Sequence, residues 1–508
     1  MKPLSAWLDT HAGIMADRIM LSTGTGSFTY GQMARAVRNM AAWLQGGQKL
    51  PRGARIAWLG HNRMEMIVLV FAAARAGLTL VPLNWRLSAP EQAAIVQNAG
   101  ISLLIAQDVF MDRAGGIRPA SAPLIICGEQ ADGTVTSFED ALAAGQSMLC
   151  PARGALDDPL LLVYTSGTTG EPKGAVLTQQ AVLFNALNAI HMHGMTRADT
   201  ILSVLPLFHA GGLNIQTMPA FYCGAQVILH EVFDPAATLQ AIEREAPSLT
   251  LQVPATLQAI MARKEWQAAD ISSLRALSIG STDVPLPLIE AVQARGVPVI
   301  QIYGATETGP VAIYQTPDEA LATTGSIGRQ GLHTQIRLVD DAGRDVPVGE
   351  TGEILVRGPH VAQGYWKDPH NRAFAGGWFH SGDMASRDES GLFWFRDRKK
   401  NMIISGGENI YPAEIERIIN RICGISACCV VGVPSQKWGQ TPAALVVVED
   451  GARVTEAHIR KVLDDSLARY KHPAHILFAG QLPRNAMGKV VIGEVRDIIL
   501  ANIQDADL

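Results

Sequence analysis

At 508 residues the chain is too long for one ordinary core and long enough to bury two or more. Its 48% hydrophobic and 18% charged residues are the balance of a globular protein, and a net charge of -5 speaks against a nucleic-acid binder, which needs a basic face. The six cysteines show neither Cys-x-x-Cys nor accompanying histidine spacing, so reduced thiols are expected rather than a disulfide framework or a zinc site.

The N-terminus lacks the apolar core of a signal peptide, and a cytoplasmic protein is expected. Thr29 and Gln32 form a capping box ahead of Met33, Val37, Met40, Ala41 and Leu44, which share one helical face. Residues 66–83 are the most apolar long segment. Arg75, Gly77 and Pro82 interrupt it, so it reads as a helix followed by a strand and not as a membrane span. A strand over 54–60 precedes it, and a second boxed helix starts at Ser88 with Glu91. Strands alternating with helices at this spacing mean a mainly parallel, doubly wound sheet.

Over 160–174 an apolar run, Leu160 to Tyr164, gives way abruptly to hydroxyls, glycines and one lysine. Read alone, this is either a phosphate-binding loop or a plain polar connection. Glycines would let backbone N–H groups approach an anion, while Ser166, Thr168 and Thr169 add donors and Lys173 adds charge. It is neither a Walker A loop nor a nucleophile elbow. Thr178 can cap a long helix to about Gly194, and strands follow at 200–205, 225–230, 248–253, 274–280 and 299–303. Asp234-Pro235 opens a helix between the second and third of these. Residues 325–359 are β-rich, and the charged run 397–401 is a candidate joint. The last stretch, roughly 110 residues, has the size of an independent α+β domain. Its first helix opens at Pro412, buries Ile415, Ile418, Ile419 and Ile422, and is expected to close at Gly424; a later one runs to Tyr470.

Taken together and in order, several motifs resemble the adenylate-forming superfamily of acyl-CoA synthetases, amino-acid adenylation domains and luciferases. They are the 160–174 loop, Leu205-Pro206-Leu207-Phe208-His209, Tyr303-Gly304-Ala305-Thr306-Glu307-Thr308, Gly377-Trp378-Phe379-His380-Ser381-Gly382-Asp383, Ser405-Gly406-Gly407-Glu408 and Pro483-Arg484-Asn485-Ala486-Met487-Gly488-Lys489. The resemblance implies an α/β fold. A large N-terminal domain, residues 1–398, would hold doubly wound sheets and a β-rich subdomain. A small mobile α+β C-terminal domain, residues 399–508, would complete it.

It also implies an acid:CoA ligase. A carboxylate and ATP give acyl-AMP and pyrophosphate, then the thiol of coenzyme A attacks the acyl carbon and AMP leaves. Such chemistry needs positioning and charge neutralisation rather than a covalent nucleophile.

By the same resemblance, Thr165, Ser166, Gly167, Thr168, Thr169, Gly170 and Lys173 clamp the ATP phosphates. Glu307 holds Mg2+, Thr306 and Gly304 lie at the phosphate, Tyr303 walls the adenine, and Gly280 and Ser281 pass the backbone over it. Ser281-Thr282 departs from the commoner small-residue-then-proline pattern. Asp383 takes the ribose hydroxyls, Arg398 lies near ribose or phosphate, and Lys489 is the catalytic lysine. Phe208, His209, Gly212 and Asn214 build the acyl pocket, with His209 a gate at the carboxylate in the place where amino-acid adenylating relatives carry an aspartate. Lys400 is the hinge, flanked by Asp397 and Asn401 where glycine and aspartate are more usual. Ser405, Gly406, Gly407 and Trp438 line the coenzyme A channel, although Trp438 reads equally as plain packing. The expected acid is aryl, cinnamic or medium-to-long-chain fatty. Loading of a carrier protein, or a non-catalytic nucleotide-binding role, are the alternatives. The partner is a small carboxylic acid, with a homodimer left open.

Overall fold

The computed structural model describes residues 3–128, 136–149, 151–166, 172–280, 284–368, 370–405, 408–484 and 489–503, with the backbone alone at 166 and 172. The chain divides into two compact units, one of residues 1–282, 291–336 and 356–380, the other of residues 283–290, 337–355 and 381–508. The boundary expected after Arg398 falls inside the second unit, because Asp383 and Arg398 face each other across an antiparallel pair, Phe379–Arg387 with Phe393–Arg398.

The first unit carries two sheets. One has nine strands in the order Arg329–Gln330, Ile313–Tyr314, Val299–Tyr303, Ala276–Gly280, Leu249–Gln252, Thr200–Ser203, Gln226–Leu229, Ile19–Thr23, Gly26–Thr29. Its middle strands, from Val299–Tyr303 to Ile19–Thr23, run parallel, with antiparallel strands closing both edges. The other has seven strands in the order Thr136–Ser137, Leu124–Cys127, Leu103–Gln107, Arg55–Leu59, Thr79–Leu83, Pro159–Ser166, Pro172–Thr178, parallel except for the last. Short apolar runs become strands here because both faces are covered.

The apolar segment near residue 66 is the helix Met64–Ala76, buried all round apart from Met64 and Arg75. That is why its sequence has no polar face. It ends at Gly77, in the left-handed region at φ 68°, and the chain turns into Thr79–Leu83. No described helix is long and apolar enough to cross a membrane. The Thr29–Gln32 box closes on both sides, at 3.2 and 2.7 Å. At the second helix, Glu91 accepts from both the backbone N–H and the hydroxyl of Ser88.

Thr165 and Ser166 end the first strand of an antiparallel pair, Pro159–Ser166 with Pro172–Thr178. Sequence reasoning missed the second strand. Proline, lysine and glycine open it, all poor strand formers, and proline is tolerated because this strand is a sheet edge.

The second unit contains a five-stranded sheet in the order Glu408–Ile410, Ile403–Ser405, Gly439–Val448, Ile425–Ser435, with His475–Ala479 also pairing Gly439–Val448. Ile415 and Ile419 of helix Pro412–Ile419 and Ile459 and Leu463 of helix Glu456–Ser466 belong to one apolar cluster. Val495 and Ile499 of helix Ile492–Asn502 belong to a second, with Val431, Val433 and Leu445. Two expected helix ends need correction. The first helix stops at Ile419, and Gly424, at φ 90°, instead turns the chain into the next strand. The later helix stops at Ser466 because Leu467 turns extended toward the core, and Arg469–Lys471 is a separate turn.

Candidate active site

In the first unit the site grows from the C-terminal end of Val299–Tyr303, where ligands bind in parallel sheets. Tyr303 is buried at the strand end, and Gly304 must be glycine because a Cβ there would overlap the carbonyl oxygen of Pro310. Thr306–Thr308 forms a single 3₁₀ turn, locked by Thr308 Oγ1, which accepts from Ala305 N–H at 2.9 Å. This presents Glu307, only 7% exposed. Its Oε1 accepts the Tyr365 hydroxyl at 2.6 Å, and its carbonyl accepts Ala362 N–H at 2.8 Å. Burial first, and then the Glu307 charge and hydrogen bond, hold the Tyr365 phenol far above its ordinary range, so it stays a donor.

The strand pair Pro159–Ser166 with Pro172–Thr178 arrives at the same place. Thr165 and Lys173 are register partners, and Lys173 Nζ lies 5.5 Å from the centre of the Tyr365 ring. The segment carrying Tyr365 is zipped to the hairpin by Val176 N–H to Gly364 O, Gln363 N–H to Val176 O and Trp366 N–H to Gly174 O, at 3.0, 3.0 and 2.7 Å. Thr165, Lys173, Glu307 and Tyr365 therefore form one cluster. Tyr365 was not foreseen, and an aromatic after Gly364 in a loop carries no signal by itself.

Helix Gln179–His193 supports this cluster from behind. Thr178 Oγ1 accepts Ala181 N–H at 3.0 Å at its start, and Gly194 at φ 56° ends it. Two fully buried amides three residues apart then read a single loop. Asn185 accepts Val311 N–H at 2.8 Å, while Asn188 donates to Val311 O and Thr334 Oγ1 at 3.0 Å. Buried asparagines in an apolar helix were the available signal, since such groups need partners.

Phe208 and His209 stack obliquely with ring centres 4.4 Å apart, His209 half-buried ahead of the short helix Ala210–Gly212. A Cβ on Gly212 would overlap the Pro206 carbonyl, so this glycine serves close backbone packing; the nearest atom to one on Gly211 is Ile215 Cδ1 at 3.7 Å. Asn214, fully buried, donates to Gly309 O at 3.0 Å and accepts Asn185 through its carbonyl at 2.7 Å. It ties the segment after His209 to the Glu307 turn.

Beneath, Gln216 donates to Ser278 Oγ at 3.2 Å, and Ser278 lies 2.9 Å from His193 Nε2. His193 Nδ1 lies 2.7 Å from Ala189 O, which needs a proton on that nitrogen. Burial lowers the His193 pKa to about 4, keeping it neutral and fixing the direction of this chain. Gln216 also lines a small cavity with Ser203, Leu205 and Leu251. Gly280 ends strand Ala276–Gly280, where a Cβ would come within 2.6 Å of Ile302 O.

The second unit holds Asp383, Arg398, Lys400, Ser405, Trp438 and Lys489. Arg398 Nε reaches Asp383 Oδ1 at 3.1 Å, with the Asp383 side chain 9% and the Arg398 side chain 51% exposed. Asp383 is set by its own N–H donating to Ser381 Oγ, itself bonded to Ile354 O. Asp397 accepts Arg398 N–H at 2.6 Å and Asn401 Nδ2 at 3.2 Å, and its other oxygen accepts Ala413 N–H at 2.8 Å, capping helix Pro412–Ile419. The departures at 397 and 401 thus form one bonded unit around Lys400. Ser405 ends the strand Ile403–Ser405, while Trp438 is 49% exposed with Lys437 Nζ 4.6 Å from its ring. A half-exposed tryptophan is not core packing. Lys489 is exposed, and near it Val491 N–H bonds to Pro483 O at 3.0 Å and Arg484 bridges Val490. Gly167, Thr168, Thr169, Gly170, Ser281, Gly406 and Gly407 lie outside the described residues, as does the Ser166 side chain.

Residues 8–366 match the AMP-binding enzyme family, and residues 414–489 match the AMP-binding enzyme C-terminal domain. The chain is 43% identical over 501 residues to an indoleacetate–CoA ligase of Aromatoleum aromaticum, covering 98% of both chains. It is 37% identical to a feruloyl-CoA synthase of an Amycolatopsis species, over 97% of this chain and 98% of that protein. Among solved structures it resembles an anthranilate CoA ligase in complex with anthranoyl-AMP, at TM-score 0.89 and 25% identity over 99% of this chain and 98% of that one. It also resembles an o-succinylbenzoate coenzyme A synthetase from Bacillus subtilis in complex with ATP and magnesium ion, at TM-score 0.83 and 29% identity over 98% of this chain and 100% of that one. The chain belongs to the AMP-binding enzymes, and within them to the adenylate-forming, acyl-CoA synthetase type.

Proposed function

We propose that this enzyme ligates an aromatic acid, of the arylacetic or cinnamic kind, to coenzyme A. ATP and the acid give acyl-AMP and pyrophosphate; the coenzyme A thiol then attacks the acyl carbon, its proton is lost and AMP leaves. The observation that carries the first step is the cluster of Glu307, Lys173 and Thr165 around Tyr365. It puts a buried carboxylate and a lysine beside the phosphate hairpin. An aryl rather than a fatty acid is supported by the acids in the relatives' names, indoleacetate, ferulate and 2-succinylbenzoate.

The residues present fit Mg2+. No group of three or more His, Cys, Asp or Glu occurs among the described residues, and Mg2+ bound with ATP asks for only one or two carboxylates, the phosphates and water. Glu307 would hold the ion, which supplies charge neutralisation between phosphates when bound. Lys173 and Thr165 hold the departing pyrophosphate, His209 faces the acid carboxylate, and Asp383 and Arg398 take the ribose. Lys489 brings positive charge to the carboxylate and α-phosphate. Lys400 is the pivot between half-reactions, after which Ser405 and Trp438 face coenzyme A. A cytoplasmic setting, where ATP and coenzyme A occur together, suits this chemistry.

The test is acid-dependent AMP release across a panel of carboxylates with and without coenzyme A. Indoleacetate and cinnamate-type acids should give AMP and thioester together. Turnover of fatty acids with none of aryl acids would overturn the substrate class, and adenylate without thioester would turn the reading to a carrier-protein acceptor.

A further inference from the structure

We propose that Tyr365 is a positioning residue that sets the Glu307 carboxylate and the Lys173 ammonium at once. The proposal rests on the reading of Glu307 as the metal carboxylate. Three features of one side chain carry it. Its hydroxyl donates to Glu307 Oε1 at 2.6 Å, the short distance of a charge-assisted bond, and this fixes the carboxylate plane and leaves the second oxygen for a cation. Its ring lies under Lys173 Nζ at 5.5 Å, within cation–π range. It also meets Phe374 edge-on with ring centres 5.3 Å apart, a packing contact that helps to hold the ring.

The backbone makes the same connection. Tyr365 lies on a short strap that bonds to both sides of the site. Ala362 N–H holds the Glu307 carbonyl at one end, and Gly364 and Trp366 bond to the hairpin strand of Lys173 at the other. A tyrosine placed merely to fill a core would take a backbone carbonyl for its hydroxyl. Here the acceptor is a buried carboxylate. Ligand-orienting partners of this kind typically change metal affinity or activity by about 10- to 100-fold when removed.

Tyr365→Phe keeps the ring and removes the hydroxyl. Acid-dependent ATP–pyrophosphate exchange should fall by about 10- to 100-fold. Mn2+ affinity of the enzyme–ATP complex, read by electron paramagnetic resonance, should weaken in parallel. Thioester formation from supplied acyl-AMP, and the thermal midpoint, should hold. Tyr365→Leu should in addition raise the KM for ATP, because Lys173 loses its platform. Wild-type exchange and Mn2+ affinity in Tyr365→Phe would overturn the proposal, as would equal loss of both half-reactions with a lowered thermal midpoint. Glu307→Gln separates the two claims. If it abolishes Mn2+·ATP binding while Tyr365→Phe does nothing, the role of Tyr365 alone falls. If Glu307→Gln itself binds and exchanges normally, the metal reading of Glu307 falls with it.

Discussion

Glu307 and Lys489, the two charged groups to which the proposal assigns adenylation, are set in opposite surroundings. Glu307 is 7% exposed and held by the strap of Ala362 and Tyr365, while Asn185 and Asn214 brace the segment that follows it. Lys489 is exposed, beside a base where Val491 N–H bonds to Pro483 O and Arg484 bridges Val490. The contrast matches two kinds of work. A group that must be aimed before substrate arrives is made rigid at the cost of desolvation, whereas a group that serves one half-reaction and then withdraws stays on a small domain's surface.

The comparison breaks or holds on four measurements. The largest effect is expected at the exposed member: Lys489→Ala should lose roughly 3 kcal/mol or more of transition-state stabilisation in adenylation, as when one positioned donor is removed. Thioester formation on supplied acyl-AMP should be largely spared; equal loss in both half-reactions contradicts a part-time lysine.

Next comes the acid stability of the braced region. His193 and His360 are fully buried, with pKa values lowered by burial to about 4. The unfolded chain takes up protons from about pH 6.5 downward while the folded one does not, so stability is complete above that pH and falls as the solution approaches pH 4. Each histidine accounts for roughly 3 kcal/mol of this loss. Urea midpoints from pH 7.5 to 4.5 should show a shallower fall in His193→Gln; an unchanged slope would mean that this network does not hold its histidine neutral.

Third, Lys400→Pro should leave adenylation nearly intact and cut thioester formation, by about tenfold if backbone change at this residue gates the second half-reaction. Unchanged thioester formation would remove the pivot. The smallest effect belongs to Arg398→Ala. With half of the arginine side chain exposed, its pair with Asp383 should contribute under about 1 kcal/mol to stability. The KM for ATP should rise nonetheless, and a large drop in thermal midpoint would show that the second unit is braced like the first.

Much of the fold was legible because it follows from period and caps. The parallel strands read as short apolar runs, and the caps at Thr29, Thr178 and Asp234 sit where hydroxyl and carboxylate side chains announced them. The site was legible where spacing is local, as in Thr306–Thr308. What stayed hidden is long-range. Tyr365 lies 58 residues from the carboxylate that it touches, and no local pattern encodes that bond. The hairpin strand Pro172–Thr178 was hidden for another reason: an edge strand of a sheet tolerates the residues that usually argue against a strand.

Asp397 carries one further consequence. Its two carboxylate oxygens hold Arg398 and Asn401 on one side and the start of helix Pro412–Ile419 on the other, so its bonds straddle Lys400. If the chain pivots at Lys400, those bonds act as a latch that either opens on every catalytic cycle or travels as a block. In the first case the dwell time in each state depends on the hydrogen bonds to one side chain, and the enzyme's tempo could be retuned at position 397 without touching a residue that meets substrate.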